Sequence, residues 1–145
     1  MIVREMKEQD KSVVIDMVHQ FYMSDAVTHG VDDSIIEKCF VQALSDNDFF
    51  KGFIIEEKGI VGYAYVSMYF ATELGDWNLM IEQLYICDHA QNKGLGTSFI
   101  KWLEIEYHSI ARFRLEVNED NKNAIKLYQK LGFQFLNYGQ MVKDF

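Results

Sequence analysis

The sequence predicts an α/β protein, a mixed central sheet of about six to seven strands flanked by helices on both faces. Apolar residues recur at helical spacing in some segments and as strand-like runs in others. These segments follow the order strand, two helices, three strands, helix, strand, helix, strand. The length of 145 residues, with 49% apolar and 14% aromatic composition, suits one domain around one core, so residues 1–145 read as a single unit. No proline, repeat, low-complexity stretch or linker interrupts it.

Ile2 to Met6 reads as a short strand. Asp10 is placed to cap a helix whose Val14, Met17, Val18 and Phe21 form an i, i+3, i+4, i+7 stripe. A second helix, from Asp33 or Ser34, repeats the stripe with Ile36, Cys39, Phe40 and Ala43. Phe49 to Glu57 and Ile60 to Phe70 are strands joined by the turn Glu57-Lys58-Gly59, a hairpin. After a polar connection around Gly75 and Asp76, Leu79 to Cys87 gives a third strand. The helix from Gly94 to about His108 carries Leu95, Phe99, Trp102 and Leu103 inward. Arg112 to Val117, a helix from Asn121 to Leu131, and a strand from Phe133 to Met141 complete the order.

Composition narrows the function. A net charge of −8 with no basic stripe argues against nucleic acid. It leans toward a cationic small molecule, the alternative being a soluble acidic surface. No 18-residue apolar run or signal-peptide core is present, so no membrane contact is expected and the chain reads as soluble and cytoplasmic. Cys39 and Cys87 imply no disulfide framework and read as free, partly buried thiols. No metal is expected.

The run Gln91-Asn92-Lys93-Gly94-Leu95-Gly96-Thr97 lies between a strand and an amphipathic helix. Unpaired N–H groups of the first helical turn, with the positive end of the helix dipole, suit a diphosphate there. Gly94 and Gly96 let an anion approach the backbone closely. A ligand-free connection is the plain alternative. A dinucleotide fingerprint needs a third glycine where Phe99 stands, although Glu116 falls about twenty residues on, and a P-loop needs a lysine that Gly96-Thr97-Ser98 lacks. Of the lysines nearby, Lys93 is the best placed to meet phosphate and Lys130 the next.

Gln-x-x-Gly-x-Gly at 91 to 96 resembles the acyl-CoA-binding motif of the GCN5-related N-acetyltransferase (GNAT) family. The segment 115–133, with Asn121, Ala124, Tyr128 and Gly132-Phe133 in register, resembles that family's closing strand–helix–strand unit. The resemblance is close from Gly62 to Phe133 and in outline elsewhere; position 91 carries Gln where Arg is frequent in the family. It implies the GNAT fold, acetyl-CoA as co-substrate, and cofactor contacts by the loop residues Gln91 to Thr97, by Leu84, Tyr85 and Ile86 along the pantetheine arm, and by Asn121. Asn121 also reads as a helix N-cap, and both uses can coexist.

The chemistry implied is acetyl transfer from acetyl-CoA directly to an amine. An ammonium is no nucleophile, so a base is needed, and Glu82 is the candidate. Alternation in its strand puts it on a face with Met80, Leu84 and Ile86, where partial burial would raise its pKa. The alternative is a rim carboxylate paired with a cation. Tyr128 matches the family's general-acid tyrosine, which protonates the departing thiolate; spacing alone makes it a core residue with its hydroxyl at the edge. Backbone N–H groups of 82–86 can polarise the thioester carbonyl.

Tyr22, Asp25 and His29, between the first two helices, are candidates for the acceptor pocket, with chain closure and a surface histidine as the alternatives. The layout of 63–75 and 81–85 is similar to the polyamine and diamine branch of the family, which makes a small amine the first expectation. A protein or peptide acetyltransferase is the nearer rival and a non-catalytic acyl-CoA-binding module the further one. Phe135, Tyr138, Met141 and Phe145 can cover a homodimer partner or pack within the chain.

Overall fold

A computed structural model describes every residue except Asp25 and Thr28. Five strands form one sheet in the order β1 (Ile2–Glu5), β2 (Phe50–Glu56), β3 (Ile60–Ala71), β4 (Asp76–Ile86) and β5 (Arg112–Leu115). The first four are antiparallel neighbours and β5 runs parallel to β4. The helices are α1 (Lys11–Tyr22), α2 (Asp33–Leu44), α3 (Leu95–Glu106) and α4 (Lys122–Lys130).

Alternation along the central strands splits the core into two layers. Ile54, Tyr63, Tyr65 and Tyr85 face the stripes of α1 and α2, among them Val14, Val18, Ile36 and Phe40. Phe53, Ile55, Ala64, Val66, Leu79 and Ile81 face Leu95, Phe99, Ile100 and Leu103 of α3, and Tyr128, Leu131 and Phe133 pack against that same layer. The helices thus flank the sheet on both faces. Trp102 is half-buried, edge-on to Phe53 with centroids 5.2 Å apart.

Three expectations are corrected. The strand foreseen from Phe133 to Met141 does not form, so the sheet has five strands rather than six or seven. After Gly132, at φ 91°, the apolar residues come in adjacent pairs, Phe135-Leu136 and Met141-Val142, which no single sheet face can bury together. Phe135, Tyr138, Met141 and Phe145 are exposed. Secondly, β4 begins at Asp76, because residues 71–75 make a tight turn closed by Gly75 N–H to Ala71 O at 2.9 Å, and pairing starts at once between Ala71 and Asp76. Thirdly, the Asp10 carboxylate does not cap α1. It accepts from Arg4 at 2.7 and 2.9 Å and from the Lys7 N–H at 2.8 Å, while Arg4 Nε donates to Glu56 at 2.8 Å.

Candidate active site

An irregularity in β4 sets up the site. Tyr65 of β3 pairs with Gln83 and Val66 with Ile81, so Glu82 is the extra residue of a β-bulge. The bulge reverses the alternation. Leu79 and Ile81 before it and Leu84 and Ile86 after it all face α3, whereas Tyr85 lies on the α1–α2 side and Gln83 bonds Tyr63 and Tyr22 there. Pairing between β4 and β5 covers Asn78 to Ile81 against Arg112 to Leu115 and stops at the bulge. Beyond it, residues 82–86 keep β3 on one side and, among the described residues, pair with no strand on the other. Main-chain groups therefore open onto a gap.

Glu82 does not stand where simple alternation places it. It is on the opposite face from Leu84 and Ile86, is exposed, and accepts a hydrogen bond from Ser67 Oγ. The partial burial expected of it is not found.

Downstream of the gap a short turn (Asp88–Ala90) leads into the glycine loop. Asn92 at φ 60° and Gly94 at φ 78° are both left-handed, and Gly94 caps α3 without any side chain bonding the helix end. The N–H groups of Leu95, Gly96 and Thr97 have no acceptor among the described residues. The loop's own side chains hold it in shape. Gln91 Nε2 donates to Ile86 O and to Asp88 Oδ1, both at 2.9 Å, and Lys93 Nζ donates to His89 O at 2.9 Å. Gln91 and Lys93 thus brace the loop, and the main-chain donors of Leu95, Gly96 and Thr97 stay free among the described residues. A Cβ on Gly96 would lie 3.4 Å from Leu127 Cδ1, which shows how closely α4 approaches this helix start.

α4 brings the third group. Its Asn121 accepts from the Ala124 N–H at 3.1 Å, so the N-cap role is realised, leaving the side-chain amide group to other partners. Tyr128 lies one residue beyond Leu127, half-buried, its ring edge-on to Phe133 with centroids 5.7 Å apart. Its hydroxyl makes no hydrogen bond among the described residues, and burial pushes the phenol up to about 12. Lys130 is exposed in the last turn of α4.

On the opposite face, Tyr22 ends α1 and its hydroxyl oxygen accepts from Gln83 Nε2 at 3.0 Å; Gln83 Oε1 accepts from Tyr63 at 2.8 Å. His29 is exposed, and Asp25 lies outside the described residues. Gln83, Ser67, Tyr63 and Tyr65 were not foreseen as site residues. A signal for them exists in the apolar parity, odd at Leu79 and Ile81 and even at Leu84 and Ile86, which demands an extra residue between the pairs.

A cavity of about 620 Å³ flanks the outer edge of β5. Tyr128, Phe113, Leu115 and the chain beyond Gly132 line it, and none of residues 91–97 does. It is a space beside the edge strand, separate from the loop.

An uncapped helix start preceded by a left-handed glycine follows a strand end left without a neighbour on one side, an arrangement that could hold an anion carrying a long arm. The Acetyltransferase (GNAT) family profile matches residues 15–133. The chain belongs to the GNAT acetyltransferase family. This GNAT enzyme is 28% identical over 145 residues to the thialysine N-epsilon-acetyltransferase of Mus musculus, covering 92% of this chain and 84% of that one. It is 32% identical over 84 residues to a probable spermine N(1)-acetyltransferase of Bacillus subtilis subsp. natto, 54% of this chain and 55% of the other. Its fold matches a crystal structure titled a predicted acetyltransferase with acetyl-CoA, from Clostridium acetobutylicum, at a TM-score of 0.78 and 18% identity, covering 98% of this chain and 95% of that one. It is an N-acetyltransferase that uses acetyl-CoA.

Proposed function

We propose that this acetyltransferase acts on a small amine of the diamine or polyamine type. One observation carries the reading: Glu82, an exposed carboxylate at the bulge, stands at the mouth of the gap, and the acceptor side next to it is roofed by α1 and α2. A polypeptide acceptor needs an open groove there. The net charge of −8 suits a cationic acceptor, and the two curated relatives are named for the acetylation of amines of this size.

The chain's groups divide the work. Main-chain N–H groups of Leu95, Gly96 and Thr97 take the diphosphate, and the free edge of Leu84, Tyr85 and Ile86 takes the pantetheine arm. The acyl donor supplies its acetyl group as an activated thioester. An unpaired strand N–H in 82–86 stabilises the developing oxyanion. Glu82 holds the incoming ammonium and receives its proton through water. Tyr128, raised by burial and so reliably protonated, returns a proton to the sulfur.

The test is an amine panel assayed by free-thiol release from acetyl-CoA, with polyamines, amino acids, aminoglycosides and peptides. Turnover of diamines and polyamines at a kcat/KM at least tenfold above the peptides is expected. Turnover confined to peptides would remove the small-amine reading.

A further inference from the structure

β5 is the last strand of the sheet, and among the described residues nothing bonds the main-chain groups along its outer edge. An unpaired edge strand is a template for another strand. The cavity of about 620 Å³ lies along that edge. A strand residue fills roughly 4.8 by 10 by 3.3 Å, so the space holds about four residues, the length of β5 itself. Phe135, Leu136 and Tyr138 of the same chain line the space and so bound it rather than fill it, and none of residues 141–145 lines it.

The two faces of this slot differ. Phe113 and Leu115 belong to the α3 layer, from which Glu104 also lines the space. Alternation puts Arg112 and Arg114 on the opposite face, where they bond Glu73 and the Tyr69 hydroxyl. Arg114 has no carboxylate partner among the described residues.

Residues 141–145 match that pattern as an extended segment. Met141, Lys143 and Phe145 share one face, two apolar side chains for the α3 layer and a cation for Glu104. Val142 and Asp144 share the other, with a carboxylate for Arg114. All five are exposed in the single chain. A slot and a segment fitted to it thus stand unpaired on one chain, and a twofold axis between two copies satisfies both twice.

Charge favours a second copy at this end. Residues 112–145 carry six Lys and Arg against four Asp and Glu, in a chain of net charge −8, so like copies repel least here. Reciprocal insertion covers the segment and one edge on each copy, on the scale of the roughly 800 Å² per partner of specific pairs.

We propose that two copies of this acetyltransferase pair reciprocally, residues 141–145 of each adding as a strand to the β5 edge of the other. The proposal goes beyond the acceptor reading and does not rest on it. Sedimentation equilibrium at about 100 µM protein compares wild type with Met141→Asp/Phe145→Asp, whose altered side chains are fully exposed in the single chain, so that its fold is kept. Wild type should sediment at twice the 17.0 kDa of the chain and the variant as the single chain. Hydrogen exchange over 112–115 should be at least tenfold slower in wild type than in the variant. A monomeric wild type overturns the proposal even if its β5 edge is protected, since the segment then folds onto its own chain. A variant that still pairs overturns it, as does a wild-type dimer whose β5 amides exchange as fast as the variant's.

Discussion

Tyr128 and Gly94 show how single residues can be tested apart. Burial holds the Tyr128 phenol at about 12, so the group stays a proton donor throughout the usual assay range. Its ionisation removes the donor only as pH rises through that value, so kcat should show no loss from this residue between pH 7 and 10. Tyr128→Phe is expected to lower kcat at least tenfold across that range with acetyl-CoA affinity within twofold; an unchanged kcat would end the general-acid assignment. Gly94 answers to binding instead. At φ 78°, with open space where a Cβ would go, its substitution is limited by backbone strain and not by contact. Gly94→Val should cost about 1–2 kcal/mol of stability and weaken CoA binding, read by thermal unfolding and calorimetry.

At the scale of elements, the candidate site begins at the β4 bulge, and Gly62 of β3 pairs with Ile86 at the far end of the strand segment that follows it. A Cβ there would collide with Tyr85 O and lie 2.9 Å from Ile86 Cδ1, so only glycine lets β3 support the strand end that borders the gap. Gly62→Ala should push 85–86 outward and raise KM for acetyl-CoA severalfold, and a wild-type KM would show that the strand end does not carry the arm. Much of this level was legible. The helix stripes of α1, α2 and α3, the hairpin turn at Lys58-Gly59 and the uncapped start of α3 all follow from local spacing and turn chemistry. The position of Glu82 was not, because a period of two was carried through a place where one extra residue reverses it. The tail beyond Gly132 was misread for a related reason: β-rich composition suggests a strand, but paired apolar residues give it no single face to bury.

The whole molecule is closed at its N-terminal end by a charge cluster that spacing did not disclose. Arg4 on β1 bridges Asp10 and Glu56 of β2, joining two strands to the start of α1. The Arg4 hydrogen bond holds the Asp10 carboxyl below its usual value of 3.8, against the opposing effect of burial. A carboxylate depressed in the folded state adds stability above that usual value, and the contribution is lost as pH falls through the lower folded value. Asp10→Asn should therefore cost about 2 kcal/mol at pH 7, and its deficit against wild type should shrink as urea unfolding is repeated from pH 5 toward pH 2. A constant deficit would assign the effect to packing.

The donors proposed to hold a ligand at the start of α3 are peptide amides, and amides neither gain nor lose protons in water's ordinary range. On the proposed assignment, the hold on the donor's diphosphate should therefore be indifferent to acidity. Natural drift at Asn92, Leu95 or Thr97 then touches the grip only where it moves the point at which the helix begins.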